Sequence, residues 1–149
     1  MQSARIWYNA AQHTITLGEL KALLIQDLDC QVMDWEWRFE AVTVPQLRVT
    51  WPVRFLLQIN THPDVEIEAD EFVGVLADRL PKGADVQLHA ATARIEAGDD
   101  DGTDAAVEGS MAAWSEFDPA DPDSHRILLA VARKLGGLFE DNINGRAMV

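Results

Sequence analysis

The sequence has little of what would mark a secreted, membrane-bound or disulfide-stabilised protein. Its 149 residues contain one cysteine, Cys30, so no disulfide can form within the chain. The most apolar stretch, near residues 53–59, is far shorter than the roughly 20 residues of a membrane-spanning helix. The first nine residues lack the basic segment followed by an apolar segment that begins a signal peptide. These absences predict a cytoplasmic protein with no membrane association.

Catalytic and cofactor-binding motifs are also missing. The chain has no P-loop, no G-x-G-x-x-G fingerprint and no G-x-S-x-G nucleophile elbow. The carboxylates of Asp27 and Asp29 are expected to raise the pKa of the Cys30 thiol and reduce its reactivity. The histidines are not spaced as zinc ligands are; they are His13, His62, His89 and His125. The sequence therefore predicts no catalytic residue, no metal site and no cofactor.

What the sequence does contain is a large and uneven excess of acidic residues. The formal net charge is −13. Residues 61–149 account for −12 of it, because 19 acids there face seven bases, whereas residues 1–60 carry six acids and five bases. An acidic surface repels nucleic acids and anionic membranes and attracts basic partners. The alternative interpretation is that the charge only keeps the protein soluble.

Hydrophobic spacing predicts three helices and several strands. Thr16 and Glu19 form a capping box ahead of leucines at helical spacing, which predicts a helix over 16–28. Asp121 and Pro122 are a typical helix start, which predicts a helix over 122–135 ending at Gly136. The remaining predicted elements are a strand over 4–8, a helix over 68–80, a strand over 85–95 with a bulge at Ile95, a strand ending near 114–117, and a hairpin around Asn144-Gly145.

Trp35 and Trp37 belong to the clearest pattern in the chain. Around them aromatic residues alternate with charged ones, and a second alternating run covers 47–59. Period-two alternation predicts strands with one buried face, here an antiparallel pair joined near Pro45. The tryptophans, with Trp51, are then expected in the core. If that face of the sheet is open, the same stripe is an aromatic binding surface.

The order of predicted elements through residue 96 is β-α-β-β-α-β, which is the order of ferredoxin-like folds. A strand, a helix and a hairpin follow it. The length fits one domain. The sequence therefore predicts a single α+β domain over 1–149, with one mainly antiparallel sheet and about three helices.

The most polar stretch, AGDDDGTD at 97–104, has some of the spacing of a calcium-binding loop. Asp99, Asp101 and Gly102 match positions 3, 5 and 6 of an EF-hand loop, and Glu108 matches position 12. Position 1 is an alanine instead of an acid, and no helix is predicted directly before it. The favoured interpretation is a solvated, mobile loop without a bound metal.

Small size, strong acidity, the absence of a cofactor motif and a compact α+β core together resemble the broad class of bacterial immunity proteins. The resemblance implies that the protein neutralises a basic toxin by binding it. The acids that precede two of the helices, with an aromatic pair as apolar anchor, are the implied contacts. These residues are Asp64, Glu66, Glu68, Asp70, Glu71, Trp114, Phe117, Asp118, Asp121 and Asp123.

The alternative function is a small enzyme or ligand-binding protein built on the same sheet. It would place His89 or His125 beside a cleft. A concave apolar pocket next to either histidine would favour this alternative, and a flat acidic face over a filled core would favour protein binding. The sequence favours protein binding over catalysis.

Overall fold

The computed structural model describes residues 3–76, 90–100, 116–141 and 146–148. These residues form seven strands and three helices. The strands are β1 Ser3–Tyr8, β2 Gln31–Phe39, β3 Val42–Trp51, β4 Phe55–Asn60, β5 Ala93–Gly98, β6 Leu138–Asp141 and β7 Arg146–Met148. The helices are α1 Leu17–Gln26, α2 Asp64–Leu76 and α3 Pro122–Lys134.

The strands make one sheet in the order β2-β3-β4-β5-β1-β6-β7, and every ladder in it is antiparallel. The α+β class, the antiparallel sheet and the three helices are confirmed. The order of elements is roughly consistent with the predicted one. The second alternating run, 47–59, is divided between the end of β3 and the whole of β4.

Local capping explains where two of the helices begin. The Thr16 hydroxyl accepts a hydrogen bond from the Glu19 amide at 3.1 Å, and the Glu19 carboxylate accepts one from the Thr16 amide at 3.2 Å. At α3 the Asp121 carboxylate accepts hydrogen bonds from two amides of the first turn. Gly136 then ends α3 with a φ of +59°, a conformation that glycine adopts without strain. These predicted helix ends are confirmed.

The helices cover opposite faces of the sheet, as the neighbouring residues Ile6 and Trp7 of β1 show. Ile6 lies in the larger core, where α1 and α3 pack against the sheet. Trp7 points to the other face and packs with Val65 and Ala69 of α2. Because adjacent residues of a strand point to opposite faces, α2 lies across the sheet from α1 and α3.

Two predicted boundaries are wrong, the turn of the β2–β3 hairpin and the start of α2. The β2–β3 hairpin turns at Glu40 and Ala41, because Phe39 pairs with Val42, so Pro45 lies within β3. Helix α2 begins four residues before the predicted start, at Asp64. The first turn of the helix therefore contains Asp64 and Glu66, whose negative charges the helix dipole stabilises.

The strand predicted over 85–95 has different bounds in the structure. Among the described residues the strand begins at Ala93 and continues to Gly98. Ile95 pairs in regular register with Ile6 and with Ile59, so no bulge occurs there. Residues 116–118 are not in a strand. The predicted features at 77–89, 101–115 and 142–145 lie outside the described residues.

Candidate binding surfaces

Helix α2 turns most of its predicted contact residues to solvent. Asp64, Glu66, Asp70 and Glu71 are exposed. Ile67 lies among them with 59% of its surface exposed. On a helix, residues three or four apart share a face, so Ile67 has Asp64 on one side and Asp70 and Glu71 on the other. We call Asp64, Glu66, Ile67, Asp70 and Glu71 the α2 acidic face.

Glu68, the remaining predicted contact of α2, points toward the sheet. Its carboxylate forms an ion pair with Arg94 of β5. Arg94 in turn donates to Glu96 at 2.8 Å. Glu68 therefore attaches α2 to the sheet and is not a free contact residue.

The acids near α3 serve local structure. Asp118 accepts a hydrogen bond from the Ala120 amide at 2.9 Å. Asp121 is the N-cap of α3. Asp123 lies 3.4 Å from the guanidinium of Arg126, one turn along the helix. Much of the negative charge at this end of α3 is thus engaged by the helix itself.

The two acidic runs do not form one surface. The run of 64–71 is on α2, and the run of 118–123 leads into α3, on the opposite face of the sheet. One partner surface of ordinary size cannot reach both. The predicted contact set therefore separates into two candidate sites.

Phe117 cannot act as the predicted apolar anchor. It is 1% exposed and belongs to the core beneath α3, with its ring 5.6 Å from that of Phe55. Its backbone amide donates to the Asp99 carboxylate at 2.6 Å. Trp114, the other half of the anchor, lies outside the described residues. On α2, a large apolar side chain is exposed among the acids, that of Ile67.

Asp99 and Asp100, in the first half of the predicted acidic loop, make structural contacts. The Asp100 side chain is fully buried and accepts a hydrogen bond from Arg48 at 2.8 Å. Its second oxygen accepts from Arg54 at 3.1 and 3.3 Å. The expectation of a solvated, mobile loop is wrong for these two residues, because both carboxylates are engaged. No group of three potential metal-binding side chains occurs among the described residues.

The Asp100 ion pairs belong to a row of polar side chains on the α2 side of the sheet. Gln46 donates to Gln58 at 2.9 Å, and Gln58 donates to Glu96 at 2.7 Å. The alternation over 47–59 puts Arg48 and Gln58 at its polar positions, which predicts that they lie on a wet face. Arg48 and Gln46 are buried instead, and Gln58 and Glu96 are half-buried.

The prediction that Trp35, Trp37 and Trp51 lie in the core is wrong. Trp37 is 42% exposed and Trp51 is 58% exposed. Trp35 is half-buried, with the guanidinium of Arg48 stacked 3.7 Å from its ring centre. Alternation did identify a strand. Its aromatic face is open because β2 is at the end of the sheet, beyond the part that α2 covers.

An open groove of about 690 Å³ runs beside this end of the sheet. Its lining combines aromatic, charged and amide side chains from both strands of the hairpin and one leucine of α1. The lining residues are Leu17, Asp34, Trp35, Glu36, Trp37, Arg38, Pro45 and Gln46. The groove is exposed along its length, which suits an extended or surface partner better than an enclosed small ligand.

The histidines are not gathered at this groove. His125 packs edge-on against Phe139, with 5.6 Å between ring centres. His13 lines a smaller cavity of about 240 Å³ next to Leu23 and Leu135. His89 lies outside the described residues. His125 lines neither of these two cavities.

Glu140 of β6 is a buried carboxylate. Its side chain is 1% exposed, and one oxygen accepts from Arg5 at 2.5 Å. The second oxygen is buried and has no hydrogen-bond partner. Burial raises the pKa of Glu140, and the charge of Arg5 opposes that rise in part. Sequence reasoning missed this residue, because nothing local distinguishes it from the exposed acids.

Comparison with protein-family models, with curated protein sequences and with solved structures yields no match. Among the described residues, no helix is both long enough and apolar enough to cross a membrane.

Proposed function

We propose that this protein binds a basic protein partner through the α2 acidic face. The observation that carries the proposal is Ile67, a large aliphatic side chain with 59% of its surface exposed, surrounded by carboxylates on the solvent side of α2. Protein interfaces combine an apolar centre with a polar rim. Ile67 supplies the centre, and Asp64, Asp70 and Glu71 supply a rim of one charge.

The charge of the chain supports the same partner chemistry. A net charge of −13 attracts a positively charged surface over a distance and speeds the encounter. The α2 acidic face contributes four of the exposed carboxylates. Salt screens such attraction within roughly 8–10 Å at ionic strengths near 0.1–0.15 M. The association rate therefore falls as salt is added.

The end of α3 is the less suitable surface. At its N-terminal end, Asp121 caps the helix, Asp118 accepts a hydrogen bond from the Ala120 amide, and Asp123 pairs with Arg126. On α2, by contrast, Asp64, Glu66, Asp70 and Glu71 are all exposed, and Asp64 lies 3.4 Å from the imidazole of His62. This difference supports α2 as the contact element.

Neutralisation of a basic toxin is the biological role that we infer from this binding mode. A small, strongly acidic protein suits a blocking function, since inhibition needs only tight occupation of the toxin's basic surface. The role predicts that coexpression protects cells from the partner. It also predicts that the two proteins copurify at low salt.

The test uses charge reversal with a matched control on the other face of the sheet. Asp70→Lys with Glu71→Lys should slow association with the copurified partner by tenfold or more, because two attractive charges become repulsive. Asp118→Lys with Asp123→Lys changes the net charge equally but leaves α2 intact, so it should slow association only slightly.

Ile67→Ser tests the apolar centre separately. It should speed dissociation and leave the association rate nearly unchanged, because short-range packing governs dissociation. Equal effects of the two charge reversals would show that only net charge matters and would refute the assignment to α2. Turnover of a small molecule that His125→Ala abolishes would favour the enzyme alternative instead.

A further inference from the structure

In the part of the chain that the structure describes, strand β2 is an edge of the sheet. It is nine residues long and is the last strand in the described sheet order, with β3 on one side. Most of its length is exposed, including Asp34, whose side chain is 83% exposed. Proteins ordinarily shorten, bend or cover such an edge, because its free backbone groups pair readily with another strand. The length and exposure of β2 therefore indicate a partner strand.

The hairpin register determines which residues of β2 offer backbone hydrogen bonds to that partner. Phe39 and Val42 flank a two-residue turn, and the pair flanking such a turn exchanges hydrogen bonds. Bonded and non-bonded pairs then alternate along the ladder. The amides and carbonyls of Asp34, Glu36 and Arg38 consequently point away from β3, toward the open edge.

We propose that β2 pairs with β2 of a second copy of this chain, antiparallel, around a two-fold axis at Glu36. This register places Glu36 opposite Glu36 of the second copy and Asp34 opposite Arg38. It uses the outward-facing backbone groups of all three residues in both copies. A two-fold axis makes each contact occur twice, as self-complementary interfaces require.

Charge complementarity favours this register over the one with the axis at Trp35. With the axis at Glu36, each Asp34 faces an Arg38, so two pairs of opposite charge form across the strands. With the axis at Trp35, each Asp34 would instead face a Glu36. Like charges directly opposite each other are destabilising, so that register is disfavoured.

Glu36 is partly neutralised within its own strand. Its carboxylate accepts from the Arg38 guanidinium at 2.9 and 2.7 Å. The two Glu36 side chains that meet at the axis are therefore each next to a positive charge. Some repulsion between them remains, and it can be removed by mutation.

The aromatic stripe fits the same register. Trp35 of one copy lies opposite Trp37 of the other, on the same face of the joined sheets. These are non-hydrogen-bonded pairs, in which side chains approach most closely, and aromatic cross-strand pairs stabilise sheets. Pairing would cover the ring surface of Trp37 that is 42% exposed in the single chain.

The location also suits contact between two strongly acidic chains. Residues 1–60 contain almost as many bases as acids, whereas the excess charge is in residues 61–149. The β2 edge belongs to the nearly neutral part. Two copies that meet there bring together the least repulsive part of their sequences.

The experiment is sedimentation of the full chain over a range of concentrations, with two single charge reversals. Asp34→Arg and Arg38→Asp each convert both cross-strand pairs into like-charge pairs, so each should weaken dimerisation about tenfold or more. A mixture of the two variants restores opposite charges at both positions. The mixture should therefore form a heterodimer although neither variant dimerises well alone.

Three further variants complete the test. Asp27→Arg, on the exposed end of α1, changes the net charge as Asp34→Arg does and should leave the dimer intact. Glu36→Pro removes an outward-facing amide without touching the ladder to β3 and should abolish the dimer. Glu36→Gln removes the like charges at the axis and should tighten it.

A chain that is monomeric at every concentration overturns the proposal. So does a dimer that Arg38→Asp leaves unchanged, or a mixture of the two reversals that stays monomeric. If β2 instead captures an extended segment of a different protein while the chain alone remains monomeric, the occupant is a peptide and the second copy is excluded. Loss of partner binding through α2 has no bearing on these outcomes.

Discussion

Substitution of Asp100 tests the most deeply buried ion pair described in the structure. The Asp100 side chain is fully buried, and the Arg48 side chain that donates to it at 2.8 Å is 1% exposed. Asp100→Ala removes the carboxylate that balances this buried guanidinium. Water cannot replace it without rearrangement, because both side chains are enclosed.

The expected cost follows from that burial. Removing one partner of a buried ion pair costs about 3–5 kcal/mol. That is a large share of the roughly 5–15 kcal/mol by which a domain is ordinarily stable. At roughly 2–4 °C per kcal/mol for a chain of this size, the melting temperature should fall by about 6–20 °C.

Arg54→Ala provides a stability cost with which that of Asp100→Ala can be compared. Arg54 also donates to Asp100, at 3.1 and 3.3 Å, but its side chain is 31% exposed. Solvent screens this interaction, so Arg54→Ala should cost about 1 kcal/mol or less. Urea denaturation monitored by tryptophan fluorescence gives both values on one scale.

A double-mutant cycle separates the ion pair from simple loss of packing. Arg48→Met keeps most of the buried volume and removes the charge. In combination with Asp100→Ala it should cost less than the two single costs added, by about 1–3 kcal/mol. Additive costs, or a cost for Asp100→Ala near that for Arg54→Ala, would refute the argument that Asp100 balances a buried charge.

Three other substitutions or deletions have expected outcomes. Burial raises the pKa of Glu140 above its usual 4.5, so the folded state binds this proton more tightly than the unfolded chain does. The contribution of this proton to the free energy of unfolding is therefore complete below about pH 4.5 and is lost as the pH rises through the folded pKa. Over that rise, denaturation midpoints should show that the wild type loses stability relative to Glu140→Gln. Parallel pH dependences of the two proteins would contradict this expectation. Glu40 has a φ of 53°, so Glu40→Gly should stabilise the hairpin turn by about 0.5–1 kcal/mol, whereas Ala41→Gly, without a positive φ, should not. Deletion of 138–149 should unfold the domain, because Leu138 and Phe139 are fully buried in the two cores on opposite faces and β6 pairs with β1; an unchanged melting temperature would show that the segment is dispensable.

Features that depend on a few adjacent residues were predictable. The capping box at Thr16 and Glu19, and the N-cap at Asp121, form from atoms within one helical turn. Sequence spacing alone is enough to identify them. The alternation around Trp35 likewise identified a strand, because the period of two is a property of the extended backbone.

Features that depend on distant packing were not predictable. Alternation does not tell which face of β2 is covered, because that depends on where α1, α2 and α3 lie. Arg48 and Asp100 are 52 residues apart, so no local pattern connects them. The turn was expected at Pro45, yet it forms at Glu40, a residue type that rarely adopts a positive φ. In that case propensity was outweighed by the pairing of β2 with β3.

The two proposed surfaces differ in the force that would hold them, and salt distinguishes them. Contact through the α2 acidic face depends on long-range attraction between unlike charges, which added salt screens. Pairing through β2 depends on backbone hydrogen bonds and on Trp35 opposite Trp37, with two local charge pairs. Screening weakens those pairs but also reduces repulsion between two chains of net charge −13. Salt should therefore release a basic partner well before it separates the two copies, because the partner loses its main attraction while the copies lose part of their repulsion.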